Sequence, residues 1–172
     1  GEPSYVWRDG QKRRMDLIRK YAEDRINGAI LEDGCGVGSY LYRFMQTAEH
    51  AVGIEIEYER GHAAKQICTD ENTDIVNSCG EYLPFASNSY DLILLDVMLP
   101  GADGYELMDQ IRPTGTPVIF ITAFPERLLT GERPEPTFLI TKPFQLGIRN
   151  SQKNCSCQVI GAMSSCLKYF SK

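Results

Sequence analysis

The sequence is poor in the residues from which metal sites and disulfides are commonly built. It has two histidines, His50 and His62, and its six cysteines form no Cys-x-x-Cys pair. The closest spacing, Cys155-x-Cys157, is a weak metal signal. The other cysteines are scattered along the chain: Cys35, Cys68, Cys79 and Cys166. This pattern predicts unpaired, reduced cysteines rather than a zinc site.

Long apolar runs are absent as well. No stretch approaches the roughly 20 residues that are needed to span a bilayer. Residues 1–14 are polar and charged, unlike a secretory signal. We therefore expect a cytoplasmic protein that has no membrane partner and keeps its thiols reduced.

Acidic residues outnumber basic residues. The chain has 18 Lys and Arg against 23 Asp and Glu, a net charge of −5, so non-specific binding to nucleic acid is not favoured. The basic side chains near the start are local, and we predict that they form the solvated face of a helix. They are Lys12, Arg13, Arg14, Arg19 and Lys20.

Apolar strand patterns alternate with helical patterns along the 172 residues. The predicted strands are 29–31, 51–56, 74–77, 91–95, 117–121 and 137–140, and the helices are 11–26, 39–46, 58–68, 104–112 and 158–170. This alternation predicts an α/β fold, a three-layer, doubly wound, mostly parallel sheet of the Rossmann-like or flavodoxin-like kind, in a single domain over 1–172. Ligands of such sheets bind beyond the carboxyl ends of the strands.

A glycine-rich turn follows the first predicted strand. Residues 30–38 are ILEDGCGVG, so the strand passes through Gly34, Gly36 and Gly38 into a helix. Glycines let the backbone approach a ligand that side chains would block. Glu55 ends the second strand about twenty residues later, where a carboxylate can hold ribose hydroxyls.

Together with residues 81–91 (EYLPFASNSYD), these stretches resemble the cofactor-binding half of class I S-adenosylmethionine (SAM) methyltransferases, over about residues 5–95. The resemblance implies that SAM is the cofactor, with its methionine part on the glycine loop, its ribose on Glu55 and its adenine beside residues 79–81. The implied binding residues are Glu32, Gly34, Cys35, Gly36, Gly38, Glu55, Cys79, Gly80 and Glu81. Two positions depart from the family pattern: Asp33 replaces an apolar residue, and Cys79 stands where an aspartate is common.

A second set of motifs begins at Asp96. Residues 96–107 are DVMLPGADGYEL, and PVIFITA at 117–123 and TKPF at 141–144 follow. In this order the three motifs resemble the receiver domains of response regulators, over about residues 90–146. The resemblance implies phosphoryl transfer from a histidine kinase to Asp96, with Thr122 and Lys142 contacting the phosphoryl oxygens.

Receivers also bind Mg²⁺, which needs hard oxygen ligands, through an acidic pair that ends their first strand. The receiver first strand itself is not recognisable here, but Glu32 and Asp33 end the first strand of this sheet. We therefore expect Asp33 and Asp96 to bind Mg²⁺ in a receiver-like pocket completed by Glu32 and Lys142. The alternative is that Asp96 and Lys142 form an ion pair at a strand edge and bind no metal.

Residues 90–95 fit both families, because the fourth methyltransferase strand and the third receiver strand each lie beside the first strand. Joining the families there preserves right-handed connections and predicts the strand order 3-2-1-4-5-6, all parallel. The two predicted sites then share the same strand ends, so SAM and a phosphoryl group on Asp96 would compete. Residues 147–172 fit neither family and are predicted to be an irregular segment followed by a C-terminal helix.

Three functional hypotheses follow from these patterns. The leading one is a SAM-binding, methyltransferase-like protein whose methyl-transfer activity is doubtful, because receiver elements replace the catalytic half. The second is a receiver-like phosphoacceptor that uses Asp96 and Mg²⁺. The third is an inactive chimera of the two folds, natural or engineered, in which Met98 or Tyr40 would fill the pocket.

Overall fold

The structure is a computed structural model that describes residues 9–80, 89–96, 104–122 and 138–141. Within these ranges helices and strands alternate as the sequence predicts, and two single 3-10 turns, Glu23–Asn27 and Arg112–Thr114, extend α1 and α4. The strands are β1 (Ala29–Asp33), β2 (His50–Ile54), β3 (Thr73–Val76), β4 (Leu92–Asp96), β5 (Val118–Thr122) and β6 (Phe138–Thr141). The helices are α1 (Asp9–Ala22), α2 (Leu41–Phe44), α3 (Tyr58–Ile67) and α4 (Gly104–Ile111).

The strands form one sheet in the order β3-β2-β1-β4-β5-β6, and every neighbouring pair is parallel. The predicted doubly wound α/β architecture and its strand order are therefore confirmed. The order reverses between β1 and β4, whose register pairs Asp33 with Leu95. In doubly wound sheets this switch point is where ligands bind.

Apolar side chains cover both faces of the sheet, because the strands are nearly continuous apolar runs. Along β1, Ile30 packs into the core formed with α1, α2 and α3, whereas Leu31 packs into the core formed with α4. The alternation places one buried layer on each face of the sheet. Among the described residues, no helix has the length and apolar character needed to cross a membrane.

The basic residues of α1 do not all lie on a solvated face. Lys12, Arg13, Arg19 and Lys20 are exposed as predicted, but Arg14 is only 7% exposed. The prediction is wrong at this position because Arg14 lies one helical turn before Ile18, a fully buried residue on the inward face.

Candidate functional site

The loop between β1 and α2 has a backbone that only glycine adopts easily. Gly34, Gly36 and Gly38 have φ angles of 81°, 58° and 77°, in the left-handed region that costs other residues about 1–2 kcal/mol. A Cβ at Gly36 would meet nothing within 4 Å, so the space beside this residue is open. Gly38 instead packs closely on Cys68 and Ala64 of the neighbouring helical segment.

The amide groups of this loop are already hydrogen bonded within the protein. Gly34 and Cys35 both donate to the carbonyl of Ile54, at 3.0 and 2.9 Å, and Gly38 donates to the carbonyl of Cys35 at 3.0 Å. The Gly36 amide donates to Glu55 Oε2 at 2.8 Å. The loop is therefore held in place by its own amides and by the end of β2.

Glu55 fixes the glycine loop from the end of β2. Its carboxylate is buried, and its second oxygen, Oε1, accepts a hydrogen bond from the Glu57 amide at 2.8 Å. Each carboxylate oxygen has a further lone pair, so these two bonds leave acceptor capacity on a residue that lines the cleft. Glu55 thus has a structural role beside any contact with a ligand.

Asp33 and Asp96 lie at the carboxyl ends of the adjacent strands β1 and β4. Asp33 is 3% exposed, and burial, with further contributions from the negative charges of Asp96 and Glu55, raises its pKa to about 7; the backbone amide of Gly34 acts in the opposite direction. Asp96 is half-buried. A buried pair of like charges of this kind is stabilised by a proton or by a cation.

Gly80, in the segment that follows β3, packs directly against Asp33. A Cβ at Gly80 would overlap Oδ2 of Asp33, so a glycine is required for so close an approach. Oδ2 is buried and has no hydrogen-bond partner among the described residues. The orphaned oxygen, with the raised pKa of its carboxyl group, fits a site that receives a hard cation.

These residues line one cleft of about 610 Å³ over the carboxyl ends of the strands. Of the residues predicted from sequence, the cleft is lined by Glu32, Asp33, Gly34, Cys35, Gly36, Glu55, Cys79, Gly80 and Asp96. Tyr40 lines the cleft without filling it, and Met98 lies outside the described residues. The structure therefore brings together residues from both predicted sites.

Several predicted site residues are not placed by the structure. Glu81 and Lys142 lie outside the described residues, and so does the side chain of Thr122. The backbone of Thr122 ends β5 and pairs with Thr141 of β6, which directly precedes Lys142 in the sequence. Residues 147–172, with the predicted C-terminal helix, are also outside the described part of the chain.

Sequence reasoning missed one buried cation in the cleft. Arg14 of α1 lines it, and its Nε donates a hydrogen bond to the hydroxyl of Tyr40. The signal was the helical spacing from Arg14 to Ile18 and Ala22, which the neighbouring basic residues obscured.

Within the described ranges, no group of three histidine, cysteine or acidic side chains is arranged to hold a metal, so a cation here would rely on two carboxylates and further ligands.

Comparison with known proteins gives one family match. The model of the response regulator receiver domain matches residues 30–147. The match takes in β1 with Glu32 and Asp33, whereas the receiver motifs recognised in the sequence cover about 90–146.

Two curated relatives are regulatory proteins by name. The phyllosphere-induced regulator PhyR of Methylorubrum extorquens is 59% identical over 56 residues, which cover 31% of this chain and 21% of that protein. The transcriptional regulatory protein SpaR of Bacillus subtilis is 43% identical over 83 residues, which cover 44% of this chain and 35% of that protein. The match therefore spans about a fifth of the length of PhyR and about a third of the length of SpaR.

Among solved structures the likeness is to methyltransferases. An S-adenosylmethionine-dependent methyltransferase from Mesorhizobium loti matches with a TM-score of 0.53 at 15% identity, covering 64% of this chain and 52% of that one. At this identity the likeness is one of fold. The chain thus combines a receiver-family sequence with a methyltransferase-like fold.

Proposed function

The chain belongs to the response regulator receiver domain family, and from this membership we propose that Asp96 accepts a phosphoryl group with the help of Mg²⁺. The observation that carries the proposal is the acidic pair of Asp33 and Asp96 at the ends of adjacent strands. Asp33 is buried, its Oδ2 has no hydrogen-bond partner among the described residues, and its pKa is about 7.

The side chains of the pair have different roles in this proposal. The half-buried Asp96 carboxylate attacks the phosphorus atom of a phosphodonor, and the donor leaves with its bonding electron pair as an acyl phosphate forms. Asp33 and Asp96 hold Mg²⁺, which when bound neutralises charge on the transferring phosphoryl oxygens. Thr122 and Lys142, by the family pattern, contact the same oxygens, and a histidine kinase is the proposed donor.

The test is phosphorylation of the full chain by acetyl phosphate, followed by mass spectrometry and peptide mapping. We expect a hydroxylamine-labile phosphoryl group on Asp96 that forms only with Mg²⁺ and is lost in Asp96→Asn. Asp33→Asn should raise the Mg²⁺ concentration needed by about tenfold or more, because a ligand charge is removed. Asp70→Asn, at an exposed acid remote from the cleft, is the matched control. Labelling that persists in Asp96→Asn, or that is independent of Mg²⁺, would refute the proposal.

A second candidate function is SAM binding in the same cleft. The observation that favours it is the open space beside Gly36, bounded by the buried carboxylate of Glu55 and by Gly80. Ribose hydroxyls could donate to the remaining lone pairs of Glu55. Transfer of the methyl group to an acceptor is not part of this proposal.

Calorimetry with SAM tests the second candidate. We expect saturable heat from the wild type and about tenfold weaker binding in Glu55→Gln, because one charge-assisted acceptor is lost. Glu49→Gln is the control, since Glu49 is exposed and is not among the described residues that line the cleft. Mg²⁺ with beryllofluoride should lower the apparent SAM affinity, because both occupy one cleft. Absence of SAM heat in the wild type would remove this candidate, and absence of both responses would leave the inactive chimera.

A further inference from the structure

Arg14 is a buried cation that lacks a carboxylate partner in the described part of the chain. The residue is only 7% exposed, and Nη1 has no hydrogen-bond partner among the described residues. An unpaired buried charge costs several kcal/mol, so arginines in such positions are normally paired with an anion. The position of Arg14 in the wall of the cleft makes a bound ligand the source of that anion.

The guanidinium group is held in a fixed orientation. Its Nε donates to the hydroxyl of Tyr40, and its central carbon lies 5.9 Å from the centroid of the same ring. Tyr40 follows the glycine loop and is itself buried. A planar guanidinium anchored at one edge presents its remaining N–H groups in a defined direction, which suits carboxylate and phosphate oxygens.

Several other groups in the cleft that could donate hydrogen bonds to an anion are already bonded to acceptors of the protein. The amides of Gly34, Cys35, Gly36 and Gly38 donate to acceptors of the protein, so they do not form an anion-binding nest. Arg60, the other arginine of the described cleft wall, forms an ion pair with Glu57 at 2.9 Å. Of the two arginines in the described cleft wall, Arg14 is therefore the one that has no acidic partner among the described residues.

We propose that Arg14 anchors the carboxylate or phosphate group of a small-molecule ligand in the cleft. The acidic residues that also line the cleft, Asp33, Glu55 and Asp96, repel a second anionic group and accept hydroxyl or ammonium groups. The site thus takes a ligand with one anionic end and one hydrogen-bond-donating or cationic end. This inference is independent of phosphorylation at Asp96, because Arg14 lies on α1, which precedes the family match.

Nuclear magnetic resonance of the arginine Nε–H groups tests the inference in the wild-type full chain. Sodium phosphate and, separately, sodium acetate replace sodium chloride at constant ionic strength and pH. We expect the Arg14 signal, assigned by its loss in Arg14→Lys, to shift saturably, while the signal of exposed Arg13 stays in place. A shift with phosphate alone identifies a phosphate site, and a shift with both salts identifies a site that also takes a carboxylate.

Two results of this measurement would contradict the proposed role of Arg14. An Arg14 signal that neither anion moves, or that moves no more than the Arg13 signal, would overturn the inference. If Arg14→Lys folds poorly, the Arg14 Nε–H signal is assigned in the wild type by its nuclear Overhauser contacts with Tyr40, so the conclusion does not depend on the variant. Phosphorylation of Asp96 is measured separately by acetyl phosphate labelling, so failure of one proposal leaves the other standing.

Discussion

Replacing Asp33 by asparagine removes the titrating group from the acidic pair while nearly preserving its shape. Burial and the charges of Asp96 and Glu55 raise the Asp33 pKa from its ordinary value of 3.8 to about 7. Between these values the unfolded chain has lost the proton that the folded chain retains, so the stability of the wild type falls as pH rises from about 4 to about 7. Each pKa unit corresponds to about 1.4 kcal/mol, which gives a loss of ~4 kcal/mol before structural relaxation.

The Asp33→Asn variant lacks this loss. Relative to the wild type, its free energy of unfolding should rise by about 2–4 kcal/mol between pH 4 and pH 8 and level off above pH 7. Urea unfolding followed by circular dichroism, in the presence of a chelator, measures the difference at each pH. The slope is the observable, because an unfavourable amide contact would shift all values equally.

Two controls make this measurement specific. Glu49→Gln, at an exposed acid, should show the pH profile of the wild type. Asp96→Asn removes one cause of the raised Asp33 pKa, so its stability should level off at a lower pH than that of the wild type. A difference between Asp33→Asn and the wild type that stays constant from pH 4 to pH 8 would refute the electrostatic reasoning.

Two further predictions concern packing around the cleft. Gly80→Ala should lower the free energy of unfolding by about 1–3 kcal/mol through overlap with a neighbouring carboxylate, whereas Gly115→Ala, with φ of 71° and open space, should lose about 1–2 kcal/mol from backbone strain alone. Urea unfolding midpoints compare the stabilities of the two variants. A Gly80→Ala variant as stable as the wild type would contradict the observed contact. Burial raises the pKa of Cys68 to about 12 and that of Cys35 well above its ordinary value, so iodoacetamide at pH 8 should modify both far more slowly than half-buried Cys79. Peptide mass spectrometry measures the rates, and equal rates would show that the two thiols are accessible.

Most strands were predictable from the sequence because they lie inside a parallel sheet covered on both faces, where nearly continuous apolar runs occur. The edge strand β3 (TDIV) has a weaker pattern, because only one of its four residues is buried. The strand order was predictable because one segment, 90–95, satisfies two families that place it beside the first strand. Helix lengths were less predictable than strand positions. The helix after the glycine loop was expected to reach residue 46, but α2 ends at Phe44. The second strand ends at Ile54, and the side chain of the next residue, Glu55, accepts the Gly36 amide and so holds the glycine loop.

The candidate site was only partly predictable, because its contacts join elements that are distant in sequence. The carboxylates of Asp33 and Asp96 were predicted to lie together, since parallel strands end at one edge. The contact between Gly80 and Asp33 was not predicted, because it depends on the path of the chain after β3. The burial of Arg14 was hidden by its basic neighbours, although its spacing to Ile18 matches the inward face.

The strand β3 explains how one chain matches a receiver family and has a methyltransferase-like fold. Without β3, the observed order becomes 2-1-3-4-5 after renumbering, the other common doubly wound order, and the switch point beside β1 is unchanged. With β3, residues 78–80 pass over this switch point and Gly80 packs on Oδ2 of Asp33. A cation bound at Oδ2 therefore requires residues 78–80 to move, and those residues also line the cleft. Occupation of the acidic pair would thus reshape the wall against which SAM is proposed to bind.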